Sequence, residues 1–466
     1  MHGVKHADSS FSSIVQREGG LKKTLSAAKL SMIAIGGAIG TGLFLGSGFA
    51  IGTAGPGVLI SYAIGALIGL LLMGCLAEMT IAHPTTGSFG AYAEYYIGPL
   101  AGFLVRYAYW TCVVLAVGTE VTAVAIYMKL WFPVVPGWIW IIGYSGALIG
   151  VNAFSVSVFG SVEYWFSFIK IIAIVAFIVL AAYVISVTSD GTVGFHNYTA
   201  YGGFLPRGIG GVWIAVIIAV FSYFSIEMIA VAAGETARPE IAIRSAFRST
   251  VIRLILFYLL TLALMLAVIP WTLAGSTQTP FVLVMRVSRL PAAAGVMNFV
   301  VLVAALSAMN SQLYITTRMM FSLSRAGYAP RSLSRLSRRG VPLNALLLST
   351  SGIAFATVIT IISPGSAFLT MLAISAFGAM FTWMMIFVTH FFFRRAAADA
   401  PASFRMWGFP ATTLLGAALM AMLLITTAFT HVFRSTLIFG VPFLAALILL
   451  YYFRYQPAVR DLPTTP

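Results

Sequence analysis

Apolar residues run for about 20 positions at a time along most of this chain, with polar or basic residues gathered in short connectors between the runs. A run of that length crosses a bilayer as one α-helix, so the pattern predicts about twelve transmembrane helices. They fall at 28 to 50, 55 to 82, 98 to 131, 138 to 154, 159 to 187, 208 to 234, 249 to 271, 291 to 325, 343 to 363, 366 to 393, 407 to 430 and 434 to 454. Two of these runs are interrupted. The first is broken by Gly36-Gly37-Ala38-Ile39-Gly40-Thr41-Gly42, and the sixth carries Phe221-Ser222-Tyr223-Phe224-Ser225-Ile226-Glu227. Inside hydrocarbon, backbone groups freed by such a break need protein or a water-filled cavity to face, so a ligand site is expected there. The glycines also suit close helix packing, and that reading stands beside the first.

Composition agrees with a polytopic membrane protein. The 466 residues are 60% hydrophobic and only 8% charged, with a mean hydropathy of +0.98. A soluble globule is excluded on these values. The expected organisation is an N-terminal tail over 1–27, one membrane domain over 28–454 and a C-terminal tail over 455–466. The segment from His83 to Glu94 is too polar to span and is expected at the cytoplasmic face. The first apolar run is too long for a signal-peptide core and is expected to be retained.

The net charge of +15 changes the topology rather than the function class. Lys22, Lys23 and Lys29, then Arg238, Arg244, Arg248 and Arg253, then Arg325, Arg331, Arg335, Arg338 and Arg339 all fall on one side of the predicted spans. Arg394, Arg395, Arg405, Arg454 and Arg460 join them. By the positive-inside rule that side is cytoplasmic and both termini lie there. Membrane lipid is therefore the expected partner of the basic residues, and nucleic acid is not. Cys75 and Cys112 read as buried thiols, and no metal spacing or Walker sequence is present. Trp131, Trp138, Trp140 and Trp271 sit at span ends, as an interfacial belt requires.

Few ionisable residues lie within the spans, and each costs about 2.5 to 3.5 kcal/mol at a helix centre. Glu120 lies roughly 20 Å along the third helix from its inner end, and Lys170 roughly 16 Å into the fifth. Glu227 follows the break in the sixth. These three are the candidates for ion or proton coupling, against the plainer readings of a bonded structural carboxyl, a lysine on a helix end and a cap on freed amides. Glu78 and Glu163 are expected near span ends, interfacial or ion-paired. Amides at the first break, with a positive dipole end, suit a carboxylate. Carbonyls at Ala38, Phe221, Ser222 and Phe224 suit an ammonium, so the pair of breaks suits a zwitterion.

Several stretches carry a family resemblance. They are Ile35-Gly36-Gly37-Ala38-Ile39-Gly40-Thr41-Gly42-Leu43-Phe44, Pro84-Thr85-Thr86-Gly87-Ser88-Phe89, Glu163 to Lys170, Ala232-Ala233-Gly234-Glu235-Thr236, Phe257-Tyr258 to Pro270-Trp271, Asn310-Ser311 and Arg339-Gly340-Val341-Pro342. Through them the chain resembles the bacterial amino acid permeases of the amino acid, polyamine and organocation superfamily, in its amino acid transporter family. The resemblance implies an all-α fold of five-plus-five inverted repeats with discontinuous helices 1 and 6 and two extra C-terminal helices. It implies a substrate site at Ala38, Ile39, Gly40, Thr41, Gly42, Phe221, Ser222, Phe224 and Ser225, with Phe221 as an aromatic gate. It also implies that Lys170 replaces a sodium site, so that protons are the coupling ion, no other cofactor is needed, and Glu120 and Glu227 take part. Ser225 departs from the glycine that many relatives carry.

The function expected is import of amino acids by proton symport across a bacterial inner membrane. Amino acid exchange and a non-transporting amino acid sensor are the alternatives. An enzyme is not expected, because no nucleophile, base and orienting group come together.

Overall fold

The computed structural model describes residues 4–19, 32–33, 37–188, 191–235, 255–275, 279–287, 292–396 and 404–455. Gly36, Lys22, Lys23, Lys29, the arginines from Arg238 to Arg253, and Arg460 lie outside the described residues. Among those described, every regular element is helical. In chain order they are α1 (Val4–Arg17), α2 (Ser47–Ala54), α3 (Val58–Ala82), α4 (Ser88–Tyr96), α5 (Pro99–Met128), α6 (Gly137–Phe154), α7 (Val156–Val187), α8 (Gly208–Tyr223) and α9 (Met228–Ala232). There follow α10 (Ile255–Val268), α11 (Trp271–Ala274), α12 (Pro280–Val287), α13 (Ala293–Arg325), α14 (Leu343–Ser349), α15 (Ser351–Ile362), α16 (Ala367–Ala396), α17 (Ala411–Phe429) and α18 (Arg434–Leu450).

Ten helical runs among the described residues are long and apolar enough to cross a membrane. One of them, Gly42–Ala82, holds two of the expected spans. They part at Gly55, whose φ of +63° lies in the left-handed region that glycine enters without steric cost. A Cβ there would stand 2.3 Å from Pro206 Cγ, so the turn also requires a bare backbone. Dividing this run and adding the shorter apolar helix Ile255–Val268 recovers the expected set of spans. Between α6 and α7 the chain turns at Ser155, whose side chain accepts from the Val158 amide at 3.2 Å and so caps α7.

The centre of the bundle is built by α5 packed along α13 and α16, while α2 and α3 pack on α8. This arrangement carries side chains from α5, α7, α10, α13 and α16 to the two helix breaks. Cys75 and Cys112 are buried free thiols, as expected.

One element was not foreseen. The polar N-terminal stretch forms α1, which buries Phe11 and Ile14, three residues apart and hence on one helical face. Phe11 lies 4.1 Å from the His83 ring, centroid to centroid. Beyond α1, Glu18 reaches Arg106 Nη2 at 2.7 Å. The same arginine meets Glu94 at 2.8 Å, and Arg17 meets Glu94 at 2.9 Å. Burial works against the charge of Glu94, yet Arg106 and Arg17 outweigh it and hold the carboxyl below its ordinary value of 4.5.

Candidate functional site

The first break is an unwinding followed by a widened turn. The Gly40 amide donates to the Ala38 carbonyl at 3.1 Å, a local bond that cannot continue a helix. Residues Gly42–Gly46 then form a π-helical turn, the kind of irregularity that leaves backbone groups available to side chains. The Thr41 amide, which follows the unwound stretch and precedes this turn, donates to Glu120 Oε2 at 3.3 Å. Gly40 makes that approach possible, since a Cβ on it would lie 2.9 Å from Glu120 Oε1 and 2.8 Å from Ala308 Cβ.

The second break lies directly against the first. Helix α8 ends at Tyr223, Phe224 turns to a ψ of 150°, and Ser225 has a φ of +82°. A Cβ on Gly42 would stand 2.7 Å from Ser222 Cα, so this glycine serves the close approach of the two broken helices. Packing and site building are therefore one requirement here. Tyr258, from α10, sets its hydroxyl 2.7 Å from the Ala38 carbonyl and 2.8 Å from the Ser222 carbonyl. The Ser222 hydroxyl meets that of Tyr62 at 2.9 Å. Phe221, in the last turn of α8, accepts from the Phe224 amide at 3.2 Å through its carbonyl.

The intramembrane ionisable residues gather on this pair. Lys170 Nζ donates to the Ile39 carbonyl at 3.0 Å, so α7 tethers the first break. Glu227 accepts from the Tyr109 hydroxyl at 2.8 Å and from Trp383 Nε1 at 3.1 Å. Glu120, Lys170 and Glu227 are thus each engaged at a break, one on an amide, one on a carbonyl and one just beyond the unwound turn.

Glu163 corrects the sequence expectation. Instead of lying at an interface it is fully buried, accepting from Ser307 and, at 2.9 Å, from Asn310 Nδ2. It sits two turns into α7, and α13 carries its partners from mid-helix. Asn310 is itself held by Asn152 at 2.8 Å. Glu78 is ion-paired, as expected, to Arg394 at 2.7 Å, with the buried His390 at 3.0 Å.

Tyr62, Tyr109, Tyr258, Trp383, Ser307 and Asn310 carried no site assignment from the residues themselves. A signal existed for Trp383, because a tryptophan within an apolar span needs an acceptor for its indole N–H. For Tyr258 no pattern along the chain points to two carbonyls over 30 positions upstream. Among the described residues no group of three or more His, Cys, Asp or Glu is placed to hold a metal ion.

An all-helical, multi-pass membrane protein whose backbone donors and acceptors gather where two broken helices touch has the build of a transporter for small polar solutes. The sequence model of the amino acid permease family matches residues 29–462, and the chain belongs to that family. Its relatives are permeases and not enzymes. It is 37% identical to the γ-aminobutyric acid permease of Bacillus subtilis strain 168 over 428 residues, 91% of either chain. It is 37% identical to a putative histidine permease of the same organism over 445 residues, covering 93% of this chain and 94% of the relative. It is also 37% identical to the aromatic amino acid transport protein AroP of Escherichia coli O6:H1 over 380 residues, 81% of this chain and 83% of the relative. Amino acid transport is therefore the function of this membrane protein.

Proposed function

We propose that the protein imports amino acids by proton symport across a bacterial inner membrane, with both termini cytoplasmic. The observation that carries the reading is the bond from the Thr41 amide to Glu120 at 3.3 Å. The amide suited to a substrate carboxylate is held by a carboxylate of the protein. When Glu120 is ionised it competes with the substrate for that donor. When Glu120 takes up a proton it becomes a weak acceptor and the amide is released, so proton and substrate bind together.

A hydrogen bond to a charged group contributes about 1.5 to 3 kcal/mol. Competition of that size changes substrate affinity by roughly 10- to 150-fold. By linkage the substrate favours protonation of the site by the same factor. Lys170 supports protons over sodium, because its fixed ammonium already satisfies the Ile39 carbonyl. Glu227, held by Tyr109 and Trp383, is placed to report the state of the second break. The relatives are named for γ-aminobutyrate, histidine and aromatic amino acids, so they have an amino group and a carboxylate in common and not a side chain.

The test is uptake into proteoliposomes with and without an imposed proton gradient, for wild type and Glu120→Gln. Accumulation against a concentration gradient in wild type, lost in Glu120→Gln with substrate binding retained, supports symport through this carboxyl. Uptake that ignores the gradient and requires preloaded amino acid would establish exchange instead.

A further inference from the structure

The Lys170 side chain is fully buried, with its ammonium on the Ile39 carbonyl. A carbonyl is neutral, so it does not balance a charge taken out of water. Two carboxylates act on that ammonium: Glu163 from its own helix, α7, and Glu120 from α5. In the symport reading above Glu120 takes up and releases the coupled proton, so its charge comes and goes. We propose that Glu163 is a positioning residue for coupling, the constant countercharge that keeps Lys170 an ammonium on the first break. The assignment rests on the reading of Lys170 as the fixed cation of a proton-coupled site.

Glu163, Ser167 and Lys170 follow one another at spacings of four and three residues, so α7 presents all three on one face. From Glu163 to Lys170 is two turns, about 10 Å of rise. That face holds the first apolar run at two points. Ser167 Oγ lies 2.9 Å from the Met32 carbonyl, and Lys170 Nζ lies 3.0 Å from the Ile39 carbonyl. Behind them the Glu163 carboxylate has donors on both oxygens. Oε1 accepts from Ser307 and, at 3.3 Å, from Ser167, while Oε2 accepts from Asn310 Nδ2 at 2.9 Å. Asn152 of α6 fixes Asn310 by donating to its side-chain oxygen at 2.8 Å. Thus α13 and α6 bring hydroxyl and amide groups to this carboxylate, and the opposite charge it answers is Lys170.

Hydrogen bonds and an opposite charge together offset the cost of burying a carboxylate. Across about 10 Å of protein the pair still changes a protonation equilibrium roughly tenfold. The sign follows from charge. With Glu163 neutral, Lys170 gives up its proton at lower pH, and the break loses its ammonium there. Glu163→Gln keeps the side-chain shape, and the Ser307 and Ser167 hydroxyls can turn from donor to acceptor, so the variant removes the charge with little else.

The experiment follows uptake of the twenty standard amino acids and γ-aminobutyrate, radiolabelled, into proteoliposomes that hold the full chain. The pH is varied from about 5 to 10 for wild type, Glu163→Gln and Glu163→Asp, since the limbs of such a profile report the groups that must titrate. The alkaline limb of Glu163→Gln is expected about one pH unit below that of wild type, with uptake at acidic pH retained. Glu163→Asp keeps the charge and is expected to restore the limb. A folded Glu163→Gln protein whose uptake is lowered at every pH, with the limb unmoved, would assign Glu163 to structure and overturn the proposal. Wild-type uptake that ignores an imposed proton gradient would remove the symport reading and this proposal with it, a result read on wild type alone.

Discussion

The carboxylate of Glu18 stands 2.7 Å from Arg106 Nη2, and both side chains are buried. Glu18 follows α1, a helix of the N-terminal stretch, while Arg106 belongs to α5 in the centre of the bundle. Gly87 admits the contact, since a Cβ on it would lie 1.9 Å from Glu18 Oε2. Gly90 does the same for Arg106, whose Cγ would be 2.4 Å from an added Cβ. Arg106 also pairs with Glu94, so one guanidinium answers two carboxylates.

Removing Arg106 leaves the buried Glu18 and the part-buried Glu94 without their common partner. Arg106→Gln is expected to lower stability by about 3 to 5 kcal/mol, the range for breaking a buried ion pair from one side. Thermal unfolding of the purified protein in detergent measures this, and a change within about 1 kcal/mol would show the cluster to be solvated.

Acid is expected to loosen the same contact. The folded-state pKa of Glu94 lies below its ordinary value of 4.5, so its contribution is complete above pH 4.5 and is lost as the pH falls through the depressed value. Hydrogen exchange in the peptides of α1, followed from pH 6 down to about 3, is expected to quicken only below 4.5.

Gly40→Ala places a methyl group 2.9 Å from Glu120 Oε1 and 2.8 Å from Ala308 Cβ. The carboxyl must then leave the Thr41 amide. Overpacking of this kind costs about 1 to 3 kcal/mol, and the larger effect is expected on the pH dependence of uptake, which should flatten. Gradient-driven uptake at wild-type level would show that the Thr41 to Glu120 bond has no part in coupling.

Ser225 holds a φ of +82°, where a Cβ crowds the backbone. Ser225→Gly is expected to stabilise the protein by about 1 kcal/mol, whereas Ser225→Ala keeps the Cβ and gives no such gain. Paired thermal melts decide this.

Lys170→Ala strips the Ile39 carbonyl of its ammonium donor. A buried acceptor left unanswered costs about 1 to 3 kcal/mol, which the bundle tolerates. Uptake is expected to fall at least tenfold while the protein still elutes as a folded species in gel filtration. Near-normal uptake would defeat the argument that this ammonium takes the place of a bound cation.

Hydrophobic run length was enough to find the spans, because the bilayer imposes one length on every helix that crosses it. The run from Gly42 to Ala82 was divided correctly by this reading, between the spans ending at 50 and beginning at 55, and the structure makes that division at Gly55. The breaks were legible as well, since glycine and serine clusters stand out against leucine and valine. Glu163 was misplaced because its offset from the predicted span end said nothing about Ser307 and Asn310, more than 140 positions away. Helix α1 escaped notice because Phe11 and Ile14, a single apolar pair at helical spacing within a polar stretch, are too little pattern to mark an amphipathic face.

By itself the sequence determined the membrane class, the number of spans, the two breaks and the three ionisable residues at them, since hydropathy and the cost of buried charge act residue by residue. Only the tertiary structure decided the partners. Glu120 on the Thr41 amide, Lys170 on the Ile39 carbonyl, Tyr258 between Ala38 and Ser222, and Glu18 on Arg106 are hydrogen bonds across helices. Such bonds form over about 3 Å in space with no constraint on separation along the chain, and helix packing alone brings their two ends together.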